Sequence, residues 1–166
     1  QGIPGLKKIT FQGYLPALLA PPTRGTRCRT PKVCHRLDFR VHGPVVVATT
    51  EEALREIKLA WEQRRVSKEY RAIVCGRVGE EQEVFTVDSP IDGREAITSV
   101  EVLRVVPCPH YGHLTELRLR PLTGRYRQLR RHCAEVLGAP MVNEDEHVYF
   151  TATEVWRRRT NSEIPQ

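Results

Sequence analysis

Long apolar runs are missing from this sequence, and none approaches the roughly 18–20 residues that a membrane-spanning helix requires. Membrane-protein readings fall away with them. Paired cysteines are missing as well. Cys28, Cys34, Cys75, Cys108 and Cys133 are odd in number and form no C-x-x-C pair, which argues against a disulfide framework and for a reducing compartment. Cys108, His110 and His113 have no second ligand pair at finger spacing, so no metal site is expected. Lysine is scarce, supplying 5 of the 26 cations. Arginine offers a planar fork suited to phosphates and stacked bases, although a GC-rich genome leaves the same bias. No internal repeat or low-complexity segment appears. The chain begins at Gln1 rather than Met, so its natural amino terminus is expected to be missing, and any targeting peptide would be invisible here.

What is present describes one compact domain with a real core: 166 residues, 19.0 kDa, 40% hydrophobic. A net charge of +6 points toward a polyanion such as nucleic acid. The charge is uneven. Between Gln1 and Leu37 no acid occurs, while Lys7, Lys8, Arg24, Arg27, Arg29, Lys32 and Arg36 are basic. Pro4, Pro16, Pro21, Pro22 and Pro31 discourage regular structure in the same stretch. It reads as an extended basic arm, residues 1–32, ahead of a domain over 33–166. Arg24, Arg27 and Arg29 are candidates for phosphate contact, and protein partners through this arm are a second expectation. From Glu51 to Glu101 twelve acids face eight cations, so that part is expected to face away from a polyanion.

Val45 to Ala48 reads as a buried strand. Thr49 and Glu52 have capping-box spacing and open a helix to about Arg65, with Leu54, Ile57 and Trp61 as its apolar stripe. Tyr70–Val74, Glu83–Val87 and Thr98–Val106 read as strands. In the next strand Thr115, Leu117 and Leu119 point inward, leaving Glu116, Arg118 and Arg120 on a wet, basic face. A helix is expected over Arg125–Leu137, ended by Gly138 and Pro140, with Leu129, Cys133, Val136 and Leu137 as its buried face. The sum is an α+β domain on a mixed, largely antiparallel sheet with flanking helices.

Three segments carry chemistry. His35-Arg36-Leu37-Asp38 places the first acid of the chain among cations. That carboxylate suits a nucleophile, a general base or a salt-bridge anchor. Lys68-Glu69-Tyr70 opens a strand, where a tyrosine is commonly a packing residue. Thr123-Gly124-Arg125-Tyr126-Arg127-Gln128-Leu129-Arg130-Arg131-His132 combines a turn glycine, a helix start and forked cations, the parts of an anion site. Arg118, Arg120, Arg125 and Arg127 join it as candidates for holding an anion, with a solvated basic face as the plain alternative.

In this order and spacing the three segments resemble the RluA-type RNA pseudouridine synthases. His35-Arg36-Leu37-Asp38 resembles the motif around that family's catalytic aspartate, Lys68-Glu69-Tyr70 the motif of its active-site tyrosine, and Thr123-Gly124-Arg125 with Gln128-Leu129-Arg130 and His132 the third motif. Gly138 to Val142 fits the segment that follows. The likeness runs from about Val33 to Val142. Departures are Phe39-Arg40-Val41-His42 after the aspartate, Tyr126-Arg127 where Thr-His is usual, and Asn143-Glu144 in place of Gly-Asp.

The resemblance implies a pseudouridine-synthase-like catalytic domain that isomerises uridine to pseudouridine without cofactor or metal. Asp38, Tyr70 and Arg130 would be catalytic, with Asp38 and Arg130 as an ion pair, and Arg36 would fill the space left by a flipped base. It also implies a structured RNA partner, ribosomal RNA or an assembly particle, in rRNA processing and ribosome biogenesis. An intracellular setting, mitochondrial or cytoplasmic, follows. The alternative is an inactive RNA-binding factor of the same fold acting in ribosome assembly.

Overall fold

The computed structural model describes residues 10–38 and 41–142. They fall into two compact units, Gln1–Val66 and Ser67–Gln166.

The first unit opens with a helix, α1 (Phe11–Leu18). Thr10 caps it, its hydroxyl accepting from the Gly13 amide at 3.3 Å, and Leu15 is buried. Pro16 lies inside this helix. One missing donor is tolerated because the amino-terminal cap and the burial of Leu15 stabilise so short an element. Strand β1 (Arg27–Val33) then pairs antiparallel with β2 (Val47–Thr50), with an irregular register between Arg27 and Lys32. The stretch expected as an extended arm therefore holds a helix and a strand, and the boundary expected at residue 32 falls inside β1.

Helix α2 (Glu51–Glu62) follows directly. Its cap is Thr50 rather than Thr49, the Thr50 hydroxyl accepting from Ala53 N at 3.3 Å. The expected capping-box partner, Glu52, turns instead to the Thr26 amide, at 3.0 and 3.2 Å. Those hydrogen bonds hold its carboxyl below the usual range. Leu54, Ile57 and Trp61 are half-buried, and α2 packs on both strands.

The second unit is a four-stranded antiparallel sheet in the order β3-β6-β5-β4, built from β3 (Tyr70–Cys75), β4 (Val84–Asp88), β5 (Ile97–Cys108) and β6 (Gly112–Pro121). Alternation decides its faces. Thr115, Leu117 and Leu119 are buried, as are Val100 and Val102 opposite them. Pro140 and Met141 run along the outer edge of β3, where Cys75 N donates to Pro140 O at 2.8 Å.

The helix expected from Arg125 starts later, as α3 (Gln128–Arg131), and continues as a π-helical turn, His132–Val136. Arg127 has φ +52°, a left-handed conformation that cannot belong to the helix, so the chain turns before it. The wider π turn also shifts the periodicity. Cys133 is buried and Leu129 and Leu137 pack against the core, but Val136 is 48% exposed, and Gln128 and His132 are buried beside them. Among the described residues no helix is long and apolar enough to cross a membrane.

Candidate functional site

Asp38 stands at the end of the segment that leaves β1. The β1–β2 ladder closes at Val33 and Val47, and Cys34 N still donates to Val46 O at 2.9 Å. The next donor, Val46 N, finds no backbone acceptor in the ladder and donates to His35 Nε2 at 3.0 Å. The His35 ring is stacked on Trp61 of α2, centroids 5.0 Å apart and planes 24° from parallel. Val41 N donates to Asp38 O at 3.0 Å. Asp38 is half-buried and Arg36 exposed. Arg24, Arg27 and Arg29 are exposed on the same unit.

In the second unit Tyr70 begins β3 opposite Leu119 and packs against the core. Lys68 is half-buried just before it, and burial lowers the pKa of its ammonium. Gly124 faces it: a Cβ there would lie 3.9 Å from Lys68 Nζ.

The third segment is held by a buried polar network. Thr123 Oγ1 accepts from Ile97 N at 2.8 Å and donates to Gln128 Oε1 at 2.9 Å. Gln128 Oε1 also accepts from Arg125 N at 3.0 Å, and its Nε2 donates to Ile97 O at 2.9 Å and Thr98 Oγ1 at 3.0 Å. His132 completes the chain, with Nδ1 3.0 Å from Thr98 Oγ1 and Nε2 3.1 Å from Ser89 O. A carbonyl only accepts, so Nε2 carries the proton and Nδ1 accepts from the Thr98 hydroxyl. Burial depresses the pKa of this imidazole, which favours that neutral form. Every bonding group of Gln128 is thus committed to fixing the start of α3, the helix that carries half-buried Arg130.

The arginines expected on a wet, basic face are differently occupied. Arg118 Nη1 meets Glu101 at 2.6 Å, and its Nε lies 3.2 Å from Glu69 without an aligned hydrogen bond. Arg120 reaches Glu69 at 2.9 Å and Glu101 at 3.6 Å. Their charge is answered from β5 and from the residue before β3, so Arg118 and Arg120 are structural cations. Arg131 is likewise paired, at 2.9 Å, with both Asp92 and Glu135. Arg125 Nε donates to Glu95 O at 2.8 Å. Arg127 lies 5.1 Å from the ring centroid of Tyr126, which is 70% exposed. Sequence reasoning quoted Gln128, His132 and His35 as parts of motifs without giving them tasks, and took Trp61 for a packing residue alone. His35 and Trp61 carry no spacing signal that connects them.

The family model for RNA pseudouridylate synthase matches residues 12–135, which include all three segments. A dual-specificity RNA pseudouridine synthase RluA of Haemophilus influenzae is 33% identical, over 66% of this chain and 54% of that protein. The mouse RNA pseudouridylate synthase domain-containing protein 1 is also 33% identical, over 79% of this chain and 47% of its own length. Among solved structures, human RNA pseudouridylate synthase domain containing 1 superimposes with a TM-score of 0.61 at 27% identity, covering 69% of this chain and 54% of that one. The chain spans about half the length of the curated relatives it matches.

Proposed function

The chain belongs to the RNA pseudouridylate synthase family, and from that premise we propose that it isomerises a uridine in structured RNA to pseudouridine. The observation that carries the reading is one continuous family match, residues 12–135, containing Asp38, Tyr70 and Arg130 in motif order.

A stacked uracil is out of reach, so the nucleotide leaves the helix for a pocket at a cost of a few kcal/mol. Exposed Arg36 fills the space it leaves. The Asp38 carboxylate attacks the nucleoside or assists as the C1′–N1 bond breaks. The uracil turns, C1′ bonds to C5 as any bond between C1′ and the Asp38 carboxylate breaks and frees that carboxylate, the C5 proton is removed and N1 takes up a proton. Tyr70 stacks on the base and helps remove the C5 proton. Arg130 supplies the complementary positive charge for the Asp38 carboxylate. Arg24, Arg27, Arg29, Arg125 and Arg127 hold phosphates. Arg118 and Arg120, committed to Glu69 and Glu101, have no place in this proposal.

The RNA class we favour is ribosomal RNA, free or in an assembly particle. The cysteines among the described residues are all free, in keeping with a reducing compartment such as a bacterial cytoplasm or the mitochondrial interior. The test uses wild-type protein and Asp38→Asn on total cellular RNA, mapping pseudouridine by carbodiimide adduct. Wild type should form pseudouridine at discrete sites. Asp38→Asn should abolish it while RNA affinity stays within a few fold. Wild type that forms none on any RNA fraction overturns the reading.

A further inference from the structure

We propose that His35 is the positioning residue of the Asp38 loop: a neutral imidazole, stacked on Trp61, that terminates the β1–β2 ladder and fixes where the chain departs toward the aspartate. The proposal rests on the catalytic reading of Asp38.

The argument begins with a backbone group. Where two strands part, the last amide loses its partner, and an unanswered donor there loosens the end of the ladder. Val46 N is that amide, and His35 Nε2 answers it at 3.0 Å. A side chain from β1's own continuation thus bonds across to the residue that leads into β2. The direction of the hydrogen bond fixes the chemistry. A backbone N–H only donates, so Nε2 is a lone-pair acceptor and the ring proton sits on Nδ1. Stacking on Trp61 restricts the ring plane, with centroids 5.0 Å apart. One interaction sets where the imidazole sits and the other how it is turned, and Asp38 follows three residues later. Misplacing a reacting group by about 1 Å costs on the order of 100-fold in rate. Loosening this anchor is therefore expected to act on turnover rather than on RNA binding.

Three variants separate the two interactions. His35→Ala removes acceptor and ring, His35→Gln keeps an acceptor oxygen at comparable reach, and Trp61→Ala removes the stacking surface, with part of the packing of α2, and leaves the acceptor in place. On the RNA that wild type modifies, His35→Ala should lower kcat by about 100-fold and leave KM within a few fold. His35→Gln should recover most of that loss, and Trp61→Ala should fall between. Folding is followed in each by circular dichroism. Asp38→Asn is run in parallel. If it keeps wild-type turnover, the reading of Asp38 fails and the anchor loses its catalytic role.

The anchor has its own readout in nitrogen NMR and amide exchange, which needs no activity. His35 Nε2 should resonate as an unprotonated nitrogen at pH 7.5. Protection of the Val46 amide should be lost in His35→Ala and kept in His35→Gln. A protonated Nε2, equal Val46 protection in all three proteins, or wild-type kcat in folded His35→Ala overturns the proposal.

Discussion

The two units use arginine in opposite ways. Gln1–Val66 carries twelve cations and five acids, whereas Ser67–Gln166 carries fourteen cations and fifteen acids. In the second unit the charges answer one another across strands, as Arg118 and Arg120 do with Glu69 and Glu101. In the first, Arg24, Arg27, Arg29 and Arg36 stand exposed on a unit with a large cation excess. A count of arginines near a motif therefore does not identify the surface that meets a polyanion. What identifies it is the balance left after the fold has brought its acids home.

The largest effect should come from breaking internal satisfaction in the second unit. Gln128, 4% exposed, serves Thr123, Arg125, Ile97 and Thr98 at once. Gln128→Leu keeps the volume and removes every one of those bonds. Each buried group left without a partner costs about 1–3 kcal/mol, so urea unfolding should show a clear drop in midpoint. An unchanged midpoint would mean that these groups re-pair locally.

The charge contrast itself is tested by two sets of substitutions. Replacing Arg24, Arg27 and Arg29 with Gln should weaken RNA binding and flatten its salt dependence, by about 0.7–0.9 in the log–log slope for each phosphate no longer neutralised. Stability should hardly move. Replacing Arg118 and Arg120 should do the reverse, lowering thermal stability while the salt slope stays near wild type. Equal slope changes in both sets would erase the distinction between the units. Substitution is preferable to deletion here, because removing residues 1–31 would take most of β1 with it.

How far the sequence speaks depends on the distance over which each feature is decided. Alternation at Thr115, Leu117 and Leu119 is local, and it orients β6 correctly. The order of the three motifs is likewise legible, and it leads to the right family. Helix α1 is hidden by Pro16, whose penalty is offset by a cap and a burial that composition does not reveal. The start of α3 is hidden by Arg127, since nothing in an arginine announces a positive φ. The polar network is decided at long range. Thr98 meets Gln128 and His132 across 30 and 34 residues, and Arg118 meets Glu101 across 17. No spacing rule reaches so far.

The smallest expected effect concerns pH. His132 is 2% exposed and bound to Thr98 and Ser89 in its neutral form, and burial lowers its pKa below the usual 6.5. The unfolded chain then takes up its proton at a higher pH than the folded one. Stability rises with pH wherever the unfolded state binds more protons. The contribution of His132 is therefore complete above pH 6.5 and is lost as pH falls from there through the lower folded value. His132→Gln titrates no proton at this position and keeps an amide donor for the Ser89 carbonyl. Melting curves of both proteins between about pH 7.5 and 5 should differ in slope, wild type falling more steeply once the unfolded imidazole begins to charge. Parallel curves would show that the imidazole takes up its proton as readily in the fold as in the unfolded chain, which a buried ring held as Nε2–H with an accepting Nδ1 does not allow. The other histidines are common to both proteins and cancel in that difference, so the measurement reports on His132 alone.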